Sequence, residues 1–301
     1  KYYKENKYKV KIICLTSPGY YSKLFQNINL EVYHLNLNRG RLTFNSLFKI
    51  YQIIKDNSPD VVQTWMYHSD LIGGYLAMIA GVKQIHWNVR HSSLKIGSSK
   101  FKTIIIAFLC SISSYFVPTK IFLNSFSSLK FHKKIFYCQR KMQVIYNGID
   151  INLYKPNRDY KNYLDKFIEK KTLFKIGMVA RFDKQKDHLT FLKSIDLIIN
   201  NYKINDLHFF FIGKNIANNS ILSKFIKDKD LLKYITLIDH HNDINKIMNS
   251  LDLHILSSSY GDSFPNVLLE SMACGTPSIS TDIGDAKLMI NNNDLLVNKG
   301  N

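Results

Sequence analysis

Short apolar runs alternate with longer amphipathic stretches along almost the whole chain. The runs at 10–15, 32–35, 60–64, 84–89, 121–125 and 142–146 read as strands, each followed by a segment of helical period. A charged, weakly periodic stretch covers 155–171. Beyond it the alternation resumes, with strands expected at 174–180, 207–213, 235–238, 253–257 and 278–281. Strands that alternate with helices predict parallel sheets covered by helices on both faces. The break in the pattern predicts two such domains, 1–155 and 170–301.

Length agrees, since 301 residues exceed the usual size of one core. The four cysteines, Cys14, Cys110, Cys138 and Cys274, have neither metal-ligand spacing nor the look of a disulfide framework, which predicts a reducing, cytoplasmic setting. No run reaches the roughly 18–20 apolar residues of a transmembrane helix.

Net charge changes the picture more. It is +18 overall, with 21 Lys+Arg against 6 Asp+Glu in residues 1–150 and 20 against 17 in residues 151–301. No acid occurs between Asp70 and Asp150. A Lys-rich coding bias would act on both halves alike, so the asymmetry predicts an anionic partner. No nucleic-acid-binding module is legible. An anionic membrane surface is the expected partner, placing the protein peripherally on the inner face of the cytoplasmic membrane. The segment 100–116 carries Lys100 and Lys102, then Ile104, Ile105, Ile106, Phe108, Leu109, Ile112, Tyr115 and Phe116. It reads either as an interfacial helix with a basic rim or as a core helix of the first domain.

Candidate chemistry concentrates in the second half. In the segment 261–277, Pro265 suits a first helical position, Gly275 suits the residue past the helix end, and Pro277 cannot continue the helix. Free N–H groups at such an entrance, those of Phe264, Asn266 and Val267, attract anions. Glu270 stands on the second turn and Asp262 shortly before the helix. An anion site flanked by carboxylates suits a nucleoside-diphosphate sugar; a capped core helix fits the same residues. Upstream, the strand at 174–180 runs into a loop with Arg181, a planar fork for phosphate oxygens, and Lys186, a point charge. Gly213 follows another strand and would let backbone approach a nucleotide, with Asp243 near its base. In the first half, His68, Arg90 and His91 stand near the carboxyl ends of strands, where open α/β sheets place ligands. The Asn147-Gly148 turn and Pro156 read as architecture.

These segments, taken together and in this order, resemble retaining GT-B glycosyltransferases of family 4, in the subgroup that builds bacterial surface polysaccharides. That family has two Glu eight positions apart; here the second is Glu270 and the first is replaced by Asp262, while Ser263 stands where Gly is usual. The resemblance implies an α/β fold of GT-B type, two Rossmann-like parallel-sheet domains facing a cleft. It implies a hexosyltransferase that moves a sugar, with retention, from a nucleotide-sugar donor (a UDP-sugar favoured) to a growing, lipid-linked surface glycan. Arg181 and Lys186 would hold the diphosphate, Glu270 the ribose, and Asp262 with the helix-entrance N–H groups the sugar. A cleft-facing histidine is expected at His91, although Arg90 fits that position as well, and His68 and Arg90 fall on the acceptor side. No cofactor or metal is expected. Family members begin with an earlier strand and Gly-rich loop and end with further helices, so the chain reads as a fragment of such an enzyme. The alternative is a non-catalytic relative that binds sugar nucleotide or membrane. A dinucleotide-dependent oxidoreductase would need G-x-G-x-x-G after a strand, and no such run occurs.

Overall fold

The computed structural model describes residues 8–37, 43–94, 101–169 and 173–300. Lys95, Lys100, Lys170 and Lys171, which belong to stretches singled out above, lie outside them. The chain divides into two compact units, Lys1–Asn88 with Ile105–Ile121, and Val89–Ile104 with Phe122–Asn301.

The first part of the chain carries β1 (Lys11–Cys14), α1 (Tyr20–Asn27), β2 (Glu31–His34), α2 (Phe44–Asn57), β3 (Val61–Trp65), α3 (Tyr67–Ile79), β4 (Gln84–Val89) and α4 (Phe101–Ser113). Strands β1 and β2 pair in parallel, from Lys11 opposite Glu31 to Cys14 opposite His34. Strands β3 and β4 do the same, from Val61 opposite Gln84 to Trp65 opposite Asn88. They belong to a four-stranded sheet of order β3-β4-β5-β6, with β5 at Lys120–Leu123 and β6 at Met142–Val144. Helix α5 (Phe126–Lys134) lies between those two strands in sequence.

The remainder builds a six-stranded sheet from β7 (Phe174–Val179), β8 (Leu207–Ile212), β9 (Ile235–Ile238), β10 (Leu253–Leu256), β11 (Ser278–Thr281) and β12 (Leu296–Val297), in the order β12-β11-β10-β7-β8-β9. Every neighbouring pair in it is parallel. The intervening helices are α6 (His188–Asp196), α7 (Ser220–Asp228), α8 (Ile244–Ser250), α9 (Asn266–Ala273) and α10 (Ala286–Ile290). All eleven strands expected from the pattern are present, each within two residues of the expected ends; the two-residue β12 is an addition.

Strand β8 shows why this sheet is two-sided. Phe209, Phe210, Phe211 and Ile212 are all fully buried. Side chains alternate across a strand, so Phe209 and Phe211 pack with Phe191, Leu192 and Ile195 of α6 and Leu222 and Ile226 of α7. Phe210 and Ile212 pack on the other face with Ile247 and Met248 of α8. A continuous apolar run is what a strand covered on both faces requires.

Candidate active site

Helix α9 ends as its sequence suggested. Gly275 has φ +78°, its N–H donates to the Met272 carbonyl, and the Thr276 N–H donates to the Ser271 carbonyl. This pair of bonds is the Schellman closure, which favours glycine for its positive φ. The start differs by one residue from expectation. Pro265 precedes the helix with ψ 103°, and Asn266 is the first helical residue. No side chain caps this end. The Leu268 N–H donates to the Pro265 carbonyl, while the N–H groups of Phe264, Asn266 and Val267 have no partner among the described residues.

A cavity of about 460 Å³ opens beside this helix entrance within the second unit. Arg90, His91, Asn147, Asp262, Phe264 and Asn266 contribute to its wall. The Arg90 guanidinium donates to Asn147 Oδ1 at 2.6 Å, and Asn147 Nδ2 donates to Asn266 Oδ1 at 2.7 Å. The Phe264 ring stacks on Tyr146 at 5.0 Å between centroids. Burial lowers the pKa of His91, favouring its neutral form. Ser263 is buried, with Oγ 3.1 Å from the Arg90 carbonyl and 3.0 Å from Asn124 Oδ1. Asp285 accepts the N–H groups of Phe126 and Ser127 at 2.6 and 2.8 Å, fixing the start of α5 just after Asn124. The serine thus ties the segment that carries Arg90 and His91 to the segment before α9.

Asp262 is held from three sides. Lys186 Nζ lies 2.7 Å from Oδ2, Ser258 Oγ donates to the same oxygen at 2.6 Å, and Gln185 Nε2 donates to Oδ1 at 2.8 Å. The Lys186 and Asp262 side chains are each 13% exposed. Arg181 differs: its side chain is 58% exposed, with Nε 3.3 Å from Asp183.

Glu270 lines a second, smaller cavity of about 150 Å³, together with Gly148, Ile149, Asp150, Tyr154 and Leu269. Asn266 borders both cavities. The Glu270 carboxylate has no hydrogen-bond partner among the described residues, and burial raises its pKa.

The other candidates stand apart. His68 is exposed on α3, in the first unit, and lines neither cavity. Gly213 has φ +151°, and a Cβ there would meet the Ala180 carbonyl oxygen at 2.2 Å, so the crossing of two protein segments already requires glycine. Asp243 accepts from the Tyr163 hydroxyl at 3.1 Å, with Lys246 close by, and that hydrogen bond first of all lowers its pKa. Among the described residues no three His, Cys, Asp or Glu side chains gather as a metal site would. Sequence reasoning missed Gln185 and Ser258 as partners of Asp262. It also read the Asn147–Tyr154 stretch as architecture, whereas Asn147 lines the first cavity and Gly148 to Asp150 with Tyr154 line the second. The signal available for Gln185 was its place between Arg181 and Lys186.

Two family models match the chain: "Glycosyltransferase Family 4" over residues 1–153 and "Glycosyl transferases group 1" over residues 174–301. The chain is 25% identical over 248 residues to the UDP-Gal:alpha-D-GlcNAc-diphosphoundecaprenol alpha-1,3-galactosyltransferase of Escherichia coli, covering 82% of this chain and 64% of that protein. It is 26% identical over 143 residues to the N-acetylgalactosamine-N,N'-diacetylbacillosaminyl-diphospho-undecaprenol 4-alpha-N-acetylgalactosaminyltransferase of Campylobacter jejuni, covering 48% of this chain and 35% of that one. The chain therefore spans less than two thirds of the length of these curated relatives. Among solved structures, Anabaena Alr3699/HepE in complex with UDP and glucose superposes with a TM-score of 0.81 at 17% identity, covering 96% of this chain and 78% of that one. A Rickettsia africae glycosyltransferase gives 0.79 at 20% identity, covering 100% and 78%. These likenesses show the fold, which is GT-B as expected.

Proposed function

The chain belongs to Glycosyltransferase Family 4, and from that premise we propose that it transfers a hexose, with retention, from a nucleoside-diphosphate sugar to a lipid-linked glycan. The observation that carries this reading is Glu270, a half-buried carboxylate without a hydrogen-bond partner among the described residues, one turn into a helix whose entrance N–H groups are open. A carboxylate that lines a cavity, still reaches its solvent and is tied to nothing in the protein is placed to accept hydrogen bonds from a ligand. Vicinal ribose hydroxyls suit the carboxylate, and a diphosphate suits the helix entrance. The neighbours solved with UDP and with UDP-glucose support a UDP-sugar as the donor.

In this reading Arg181 and Lys186 stabilise the diphosphate as it leaves. Positive charge placed where negative charge develops lowers the barrier, by roughly 10²–10³ in rate for each preorganised group. Arg181 is free enough of the protein to swing onto the phosphates. Lys186 is anchored by Asp262 and stays in place. Asp262 and the N–H groups of Phe264, Asn266 and Val267 orient the sugar, and His91 and Arg90 face the transfer from the other wall of the cavity. His68 belongs to the acceptor side. Gly213 and Asp243 border the nucleotide. Lysine and arginine supply the positive charge, so the reaction runs without a metal. The acceptor is read from the relatives, whose named substrates are linked to diphosphoundecaprenol. Such an acceptor places the protein peripherally on the cytoplasmic face of the membrane.

A thermal-shift screen with UDP-, GDP- and ADP-sugars tests the donor. A UDP-sugar at 100 times its Kd should stabilise by about 2.7 kcal/mol, with the other two giving less. Silence with all three would overturn the reading. Binding without transfer to any diphosphoundecaprenol-linked sugar would make the protein a non-catalytic relative. The anomeric configuration of a product, read by NMR, decides retention.

A further inference from the structure

Helix α4 faces the wrong way for a core helix. Its small residues Ala107, Cys110, Ser111 and Ser113 are buried. Its large apolar residues face solvent: Ile105 is 45% exposed, Phe108 58%, Leu109 44% and Ile112 50%. The spacing i, i+3, i+4, i+7 makes these four one stripe. Tyr115 and Phe116, just past the helix, are 53% and 75% exposed. Contiguous exposed apolar surface of this kind marks an interaction site.

Charge decides among occupants. Every charged residue from Leu71 to Ile149 is basic, including Lys83, Lys102 and Lys120. Lys102 stands on the helix itself, three positions before Ile105, so a second copy of this chain docking through the same stripe would set like charges against each other. A bilayer with anionic lipid offers an apolar interior for the stripe and negative headgroups for the lysines. Tyr75 of α3, whose hydroxyl lies 2.9 Å from Ser113 Oγ, and Tyr115 are of the type that settles at the headgroup level.

We infer that α4 is a membrane-docking surface, whose stripe of Ile105, Phe108, Leu109 and Ile112 enters the headgroup region of an anionic bilayer. The inference extends the reading above, in which the acceptor is lipid-linked, by naming the part of the chain that holds the protein to the acceptor's membrane. Of the two readings left open for the segment 100–116, it takes up the interfacial one.

The test is sedimentation of the chain with vesicles of phosphatidylcholine, alone or mixed with phosphatidylglycerol. We expect binding to the mixed vesicles only, weakened at 1 M salt, where screening acts over about 3 Å. The double variant Phe108→Ser/Ile112→Ser removes two exposed side chains, so thermal unfolding should be unchanged while partition falls about tenfold or more. UDP-sugar affinity of this variant should equal that of wild type. Equal partition of variant and wild type overturns the inference, as does equal binding to neutral vesicles or none to either. A wild-type dimer that the variant renders monomeric also overturns it, making a second copy the occupant. Failure of every nucleotide sugar to bind, with vesicle binding as expected, would sink the donor reading and leave this surface standing.

Discussion

Two carboxylates eight positions apart, each beside its own cavity, have opposite surroundings. Asp262 is engaged through both oxygens by Lys186, Gln185 and Ser258. Glu270, half-buried, accepts nothing from the described residues, and its pKa is raised by burial alone. A carboxylate taken out of water needs compensation. For Asp262 the protein supplies it, so that group organises the site. Glu270 has no protein partner among the described residues and lines the smaller cavity, so that group stays open. One carboxylate is built into the protein and the other is left open, a difference that the shared sequence motif conceals.

The largest effect should come from undoing the built side. Lys186→Ala leaves the Asp262 carboxylate buried without its cation and should cost about 3 kcal/mol of stability, the lower end for a broken buried pair, since some of each side chain still reaches water. Arg181→Ala, at an exposed side chain, should leave stability unchanged and lower turnover by roughly 10²–10³. Urea unfolding midpoints distinguish the two; a Lys186→Ala midpoint equal to wild type would erase the contrast. Next comes the open side. Glu270→Ala should weaken UDP-sugar binding by about 1.5–3 kcal/mol in calorimetry, without loss of stability, because no protein partner is orphaned. A destabilised Glu270→Ala with unchanged affinity would make Glu270 a structural residue like Asp262. The smallest effect is pH-dependent. With its pKa raised, Glu270 takes up a proton at higher pH than an ordinary glutamate, and the protonated group is a poorer acceptor. Affinity for a UDP-sugar, a diphosphate diester whose phosphates stay ionised in mild acid, should therefore begin to fall on acidification at a higher pH than an ordinary glutamate would give. Glu270→Gln should bind weakly and without pH dependence; a parallel decline in that variant would assign the effect to another group.

Local chemistry sufficed for the elements. Short apolar runs located the strands because a strand covered on both faces is apolar throughout, and Gly275 marked the end of α9 because few other residues accept its φ of +78°. The cations Arg181 and Lys186 and the carboxylates Asp262 and Glu270 were visible as residue types in suggestive loops. What each one touches was not. Lys186 meets Asp262 at a separation of 76 positions and Asn147 meets Asn266 at 119, contacts that exist only once separate segments have been brought together. The two cations looked equivalent in one loop, yet the fold buries one and leaves the other in water. Helix α4 makes the same point in reverse. Its pattern showed an apolar stripe and a stripe of small residues, and hydrophobicity alone favours burying the first. Packing put Ala107, Cys110, Ser111 and Ser113 inside, because small side chains let a helix approach closely, and the large apolar stripe was left facing out.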